Sequence, residues 1–365
     1  MKSISSLLKL FPTVALFAVL MLSSFSRAQT SPPSWSSTKS YVAGDTVQLG
    51  GNTYRAIQPV AAGKGDPTTN YGSWELNYVR NNTTLMIGVG QTFPTLTAAW
   101  TYLLNARVAD GAYVHLYISS QNGDFIDSLP SSFVLDHAYG PRIAILGDNE
   151  SNDFVSFSNA TNGFVIDTGH SFNTISGITI SEAKTPNASD GIRAESEGTI
   201  SALANIDIGS FTTGIHVSEG ASISLSSNIG FFNIGTQVCL AESSASIVLN
   251  SAVSLNQTNT GGAYGFVAQV GGVIYCQGAI TLDGFVVGVE ALDEGNVYLD
   301  GATIQGCSDY GVLAENRGMV TCIGGSFTGN GIDLVAQVGG FIWTANSSFG
   351  TDASLFGTDG SYIYT

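Results

Sequence analysis

The sequence predicts an all-β chain built around a solenoid of short parallel strands. Three observations carry that reading: a phrase that repeats, apolar alternation inside each repeat, and a composition rich in glycine and poor in charge. "GIHVSEGASISLSS" (214–227) occurs upstream as "GIRAESEGTISALA" (191–204) and downstream as "GVEALDEGNVYLDG" (288–301) and "GVLAENRGMVTCIG" (311–324). One apolar column runs Ile200, Ile223, Ile247, Ile274, Val297, Val320 and Ile342, in steps of 23, 24, 27, 23, 23 and 22 residues. A second runs Ile192, Ile215, Val238, Phe266, Val289, Val312 and Leu334. Two residues on from a ladder position the chain is again apolar or small, as in Ile274/Cys276 and Val297/Leu299. Period-two alternation inside a period near 23 means short strands joined by bends, with coils stacked ~4.8 Å apart. The 44 glycines serve the bends.

The N-terminal elements differ in kind. Lys2 and Lys9 precede an apolar run from about Leu10 to Leu22, and Ser26-Arg27-Ala28 offers small residues for cleavage. Residues 1–28 therefore read as a secretory signal peptide, and a secreted, extracellular protein is expected. No later run is long enough for an integral membrane span. Residues 29–34 read as a linker. Residues 35–79 form a small β unit in which "DTVQL" and "NTYRAI" flank Gly50-Gly51, a hairpin signal.

From residue 85 to 365 the chain reads as the solenoid domain. Thr95 can cap a helix over about 95–108, with Leu96, Ala99, Trp100, Leu103 and Leu104 on one face. Such a helix suits the N-terminal end, where open strand edges need cover. The C-terminal "GSYIYT" reads as one more strand. Its edge either stays bare or pairs with another chain, a homotrimer being the form considered.

The chain has 12 basic and 28 acidic residues, net −16, and loss of residues 1–28 with Lys2, Lys9 and Arg27 makes this −19. Such a charge excludes nucleic acid and anionic membranes as partners. It also repels polyanionic sugars unless a local basic patch or bound cations compensate. The four cysteines are expected not to pair. Cys276 and Cys322 share a column two coils apart, ~9.6 Å at the standard spacing, too far for a disulfide.

Trp35, Tyr41, Gly44, Asp45, Val47, Gly51, Tyr54, Ala56 and Trp74 follow the pattern W-x5-Y-x2-GD-x-V-x3-G-x2-Y-x-A with a final W. This resembles the small chitin- and cellulose-binding modules of families 5 and 12. The tryptophan pair that usually follows Tyr-x-Ala is replaced by Ile57-Gln58-Pro59. The resemblance implies carbohydrate binding through Trp35, Tyr41, Tyr54 and Trp74, against the plainer reading of these aromatics as a mini-core. "GVGQTFPTLTAAW" and "GPRIAILGD" resemble the opening of pectate-lyase-like single-stranded right-handed parallel β-helices, found in secreted bacterial proteins and phage tailspikes. That scaffold hosts lyases, hydrolases and non-catalytic proteins.

The polygalacturonase signatures are missing, and no methylesterase aspartate motif is present. One constellation has acid–base potential: outward positions Arg193, His216 and Cys239 in successive coils, beside Glu195, Glu197, Glu219 and Glu242 at the next corner. Arg193, His216, Glu195 and Glu219 are the catalytic candidates, and the carboxylates could hold calcium. The plainer reading is a solvated corner that keeps the solenoid soluble. Two functions follow: a glycan-binding or surface-adhesion rod whose partner is an extracellular polysaccharide or cell-surface glycan, or a polysaccharide lyase or glycoside hydrolase.

Overall fold

The computed structural model describes residues 31–121, 124–148, 152–158, 162–182, 189–250, 253–256, 263–350 and 354–365. The signal-peptide reading lies outside them. The chain is mostly β with one short helix: a parallel β-solenoid of about nine turns and a small N-terminal mixed sheet.

In the small sheet, β1 (Thr46–Leu49) and β2 (Asn52–Ala56) form an antiparallel hairpin. Gly50 and Gly51 turn it with φ of 59° and 89°, the left-handed pair a two-residue hairpin requires. β3 (Trp74–Val79) pairs antiparallel with β2. The fourth strand comes from the solenoid side: β5 (Arg107–Val108) pairs parallel with β3 through Tyr78↔Arg107 and Val79↔Val108. The module is thus continuous with the cap. An aromatic chain reinforces the joint, with Tyr71, Phe93 and Tyr102 in succession at 4.9 and 5.1 Å between centroids. The Tyr102 hydroxyl donates to Pro67 O at 2.7 Å.

The solenoid begins at β4 (Thr83–Ile87), the first strand of its longest sheet. The capping helix, α1 (Leu96–Leu103), is shorter than expected. Thr95 Oγ1 accepts from Ala98 N, and Asp127 in a later coil accepts from Leu96 N at 2.7 Å. His137 closes the other end, its Nε2–H donating to Leu103 O while Nδ1 accepts from Tyr139 N. Leu104, expected on the packed face, is exposed. The helix has already ended there, and the chain turns to supply β5.

The coils lie in register. Ile200↔Ile223↔Ile247↔Ile274↔Val297↔Val320↔Ile342 is one buried inward ladder. The second ladder differs from expectation by one residue. Ile215 pairs with Cys239, not Val238, and Cys239 with Phe266. Cys239 is therefore inward and fully buried, and the outward column reads Arg193, His216, Leu240, Val267, Glu290, Leu313, Val335. All four cysteines are free and buried.

The repeated phrase marks a corner. Two consecutive left-handed residues turn the chain from one sheet into the next, as at Ser196-Glu197, Asp293-Glu294 and Asn316-Arg317 with φ of 49° to 67°. Non-glycine residues resist this conformation at roughly 1–2 kcal/mol each. Stacking offsets the cost, because corner amides bond to the next coil: Glu197 N to Glu219 O at 3.0 Å, Gly220 N to Ser243 O at 3.1 Å. Small inward residues precede the corner, Ala241↔Ala268↔Ala291↔Ala314↔Ala336, where the interior narrows. At the start of the strand Asp190–Ala194 a Cβ on Gly191 would lie 2.6 Å from Ile208 Cγ2 and 2.7 Å from Gly214 O. At the far end Leu355–Gly357 and Tyr362–Tyr364 are the terminal strands of their sheets, as "GSYIYT" suggested.

Candidate functional site

Two outward surfaces carry candidate functional side chains. The first is the charged group on the second sheet. Arg193 and His216 are cross-strand neighbours, held outward by the buried Ile192 and Ile215 beside them. His216 Nδ1 lies 2.9 Å from Asp190 Oδ2, and its Nε2 lies 3.0 Å from Glu242 Oε1. Arg193 donates to Glu195 at 2.7 and 2.9 Å and reaches Asp190 at 3.4 Å. Gln269 Nε2 donates to the other Glu242 oxygen at 2.7 Å.

Arg193, His216 and Glu195 are thus brought into one network. Glu219 is not. It sits in the corner with its carboxylate accepting from Ser196 Oγ at 2.7 Å. Asp190, which joins arginine to histidine, escaped the sequence reading because it precedes a glycine at the strand's start rather than sharing Arg193's phase. Burial opposes charging of His216, but the hydrogen bonds and charges of Asp190 and Glu242 prevail and raise its pKa. An imidazolium there donates from both nitrogens. Every charged member has an opposite charge in contact, an arrangement suited to pinning three coils together. Glu294 and Arg317 form a separate, exposed pair at 2.8 Å.

The same column continues into a small outer apolar cluster of Val287, Leu313 and Val335, flanked by Tyr264 and Tyr310. Glu290 stands among them. Burial first, then the charge of Glu315, pushes its carboxyl up to about 7.

The second surface is on the outer face of the longest sheet. The residue after each ladder position forms the column Val248, Tyr275, Tyr298, Thr321, Trp343, Tyr364. Beside it runs Val273, Asn296, Met319, Phe341, Tyr362. Tyr275 and Tyr298 rings meet at 5.8 Å, and Trp343 and Tyr364 at 6.4 Å. Trp343 is 41% exposed and Tyr364 63%. No Asp, Glu, Lys, Arg or His lies in either column. The sequence contained this signal, since each ring follows an Ile or Val of the inward ladder.

The aromatics expected to bind sugar are placed otherwise. Tyr41, Tyr54 and Trp74 are buried, with Tyr41 edge-on to Trp74 at 5.1 Å, and Trp35 is half-buried against the same core. A unit this small has few other residues from which to build a core, so their faces are turned inward. Among the described residues no group of three or more His, Cys, Asp or Glu side chains could hold a metal ion, which leaves the calcium expectation without a site there. None of the described helices is long and apolar enough to cross a membrane.

Fold and surfaces together define a parallel β-solenoid protein with an integral N-terminal sheet. No protein-family model, no curated protein and no solved structure matches the chain.

Proposed function

We propose that the protein is an exported glycan-binding rod, with the solenoid presenting an uncharged aromatic stripe to an extracellular polysaccharide or cell-surface glycan. The column of exposed Tyr275, Trp343 and Tyr364 and half-buried Tyr298 carries this reading. Pyranose rings pack their C–H faces on aromatic faces, and hydroxyls find partners in interspersed polar side chains such as Asn296 and Thr321. The rings come as two pairs on neighbouring coils, Tyr275/Tyr298 at 5.8 Å and Trp343/Tyr364 at 6.4 Å with Thr321 between the pairs, so a polymer lying along the axis meets several at once. A stripe without charge on a chain of net −16 favours a neutral polymer over a polyanion there.

A second reading, a polysaccharide lyase or glycoside hydrolase, draws on the Asp190–His216–Glu242 chain of hydrogen bonds. One experiment separates the two. The protein is incubated with neutral and acidic polysaccharides, and polymer length is followed by size exclusion with ultraviolet detection of unsaturated ends. Intact neutral polymer co-eluting with the protein, and released by Trp343→Ala with Tyr275→Ala, supports the rod. Shortened polymer, with activity lost in His216→Ala, supports the enzyme.

A further inference from the structure

The outer face of the N-terminal sheet holds a groove of about 630 Å³ lined by Ser31, Pro32, Thr46, Thr53, Asn77, Tyr78, Arg80 and Arg107. That volume is within the range of small-ligand sites. All four strands of the sheet contribute to its walls: Thr46 from β1, and Thr53, Tyr78 and Arg107, which are consecutive cross-strand partners, from β2, β3 and β5. The groove exists only because the cap donates β5 to the module.

The charge of this groove is unlike the rest of the molecule. Among the described residues two arginines line it and no acidic residue does. Among the described arginines, Arg55, Arg142, Arg193 and Arg317 are each ion-paired. Arg80 and Arg107 are not. Arg80 stacks over the Tyr78 ring at 5.5 Å, which orders its guanidinium without neutralising it. Arg107 has the neutral Tyr139 side chain as a neighbour, which raises its pKa and leaves its charge in place. Gln48, the cross-strand neighbour of Thr53 on this sheet, keeps a buried Nε2 with no hydrogen-bond partner among the described residues. The groove therefore combines uncompensated planar cations with hydroxyl and amide groups.

We propose that this groove binds an anionic saccharide, with Arg80 and Arg107 gripping a carboxylate or sulfate and Thr46, Thr53 and Asn77 meeting the ring hydroxyls. Guanidinium forks match both oxyanions bidentately. The surrounding negative charge limits the reach of such a site, but screening at physiological salt, with a Debye length of about 8 Å, lets a short anionic segment approach. The site is independent of the aromatic stripe and stands or falls separately from it.

The test uses dextran, carboxymethyl dextran and dextran sulfate, one backbone in neutral, carboxylate and sulfate forms, titrated into the protein at 0.15 M salt. Binding of a charged form with at least tenfold preference over dextran is expected, and whichever form binds more tightly identifies the oxyanion. Arg80→Gln with Arg107→Gln should weaken that binding at least tenfold without moving the melting temperature, since both side chains are exposed. Trp343→Ala should leave it unchanged. Equal binding by wild type and the double glutamine variant, or no charged form bound by wild type, would overturn the proposal.

Discussion

Asp190 Oδ2 lies 2.9 Å from His216 Nδ1 and 3.4 Å from Arg193 Nη1, so one carboxylate holds the cations of two successive coils. Glu242 extends the link to a third coil through His216 Nε2. A solenoid coheres mainly through contacts between neighbouring coils, and this network adds side-chain bonds to the ladder at one point on its surface.

The pKa of His216 is raised by these partners, so its favourable charge is fully present below its unfolded value near 6.5. That contribution is lost as pH rises through the higher folded value. His216→Gln should therefore cost on the order of 1–2 kcal/mol at pH 5.5 and markedly less at pH 9. Urea unfolding at the two pH values measures the difference. A loss that does not change with pH would show that packing, not charge, holds His216.

Glu290 behaves in the opposite sense for the wild-type charge. Its carboxyl is pushed up to about 7, so folding favours the protonated form, and a cost appears as pH climbs from the ordinary carboxyl range through 7. Glu290→Gln should stabilise the protein at pH 8 by on the order of 1 kcal/mol and do nothing at pH 4. Thermal melts of both proteins at each pH decide it. An equal effect at both would remove the ionisation argument.

Val270 occupies a corner with φ of 51° and an exposed side chain. A β-branched residue is especially ill-suited to this region, whereas asparagine enters it readily. Val270→Asn should gain about 1 kcal/mol. Destabilisation by this change would mean that the valine packs usefully against neighbouring corners.

Asp127 accepts from the first amide of the capping helix while buried beneath it. Burial raises its pKa despite that bond. Asp127→Ala should cost about 1–3 kcal/mol, and Asp127→Asn, which keeps an acceptor oxygen, should cost less. Hydrogen exchange of the 96–103 amides should show the loss first in the cap. Uniform loss along the solenoid would instead argue that cap and coils unfold as one.

Much of the architecture was legible because burial acts on every coil alike. Ile200, Ile223 and their successors recur since each must fill the same interior, and Thr95 announced its helix through local capping chemistry. At Val238 the spacing of the ladders already points to the next residue. Each coil sets its two ladder positions eight apart in sequence, from Ile192/Ile200 to Leu334/Ile342, and only Cys239 keeps that distance from Ile247. A single strand offered no reason to prefer Cys239 over Val238, because both are small and apolar.

By itself, then, the sequence determined the repeating strand, its inward residues and the helix at one end, all of which follow from local periodicity and the cost of exposing apolar surface. The tertiary structure decided which groups meet across coils and sheets. It joined Asp190 to His216, turned Tyr41 and Trp74 inward, and brought Arg107 beside Tyr78 across 29 residues of chain. Those pairings depend on register and on which strand the cap donates, and backbone hydrogen bonding between distant segments settles both.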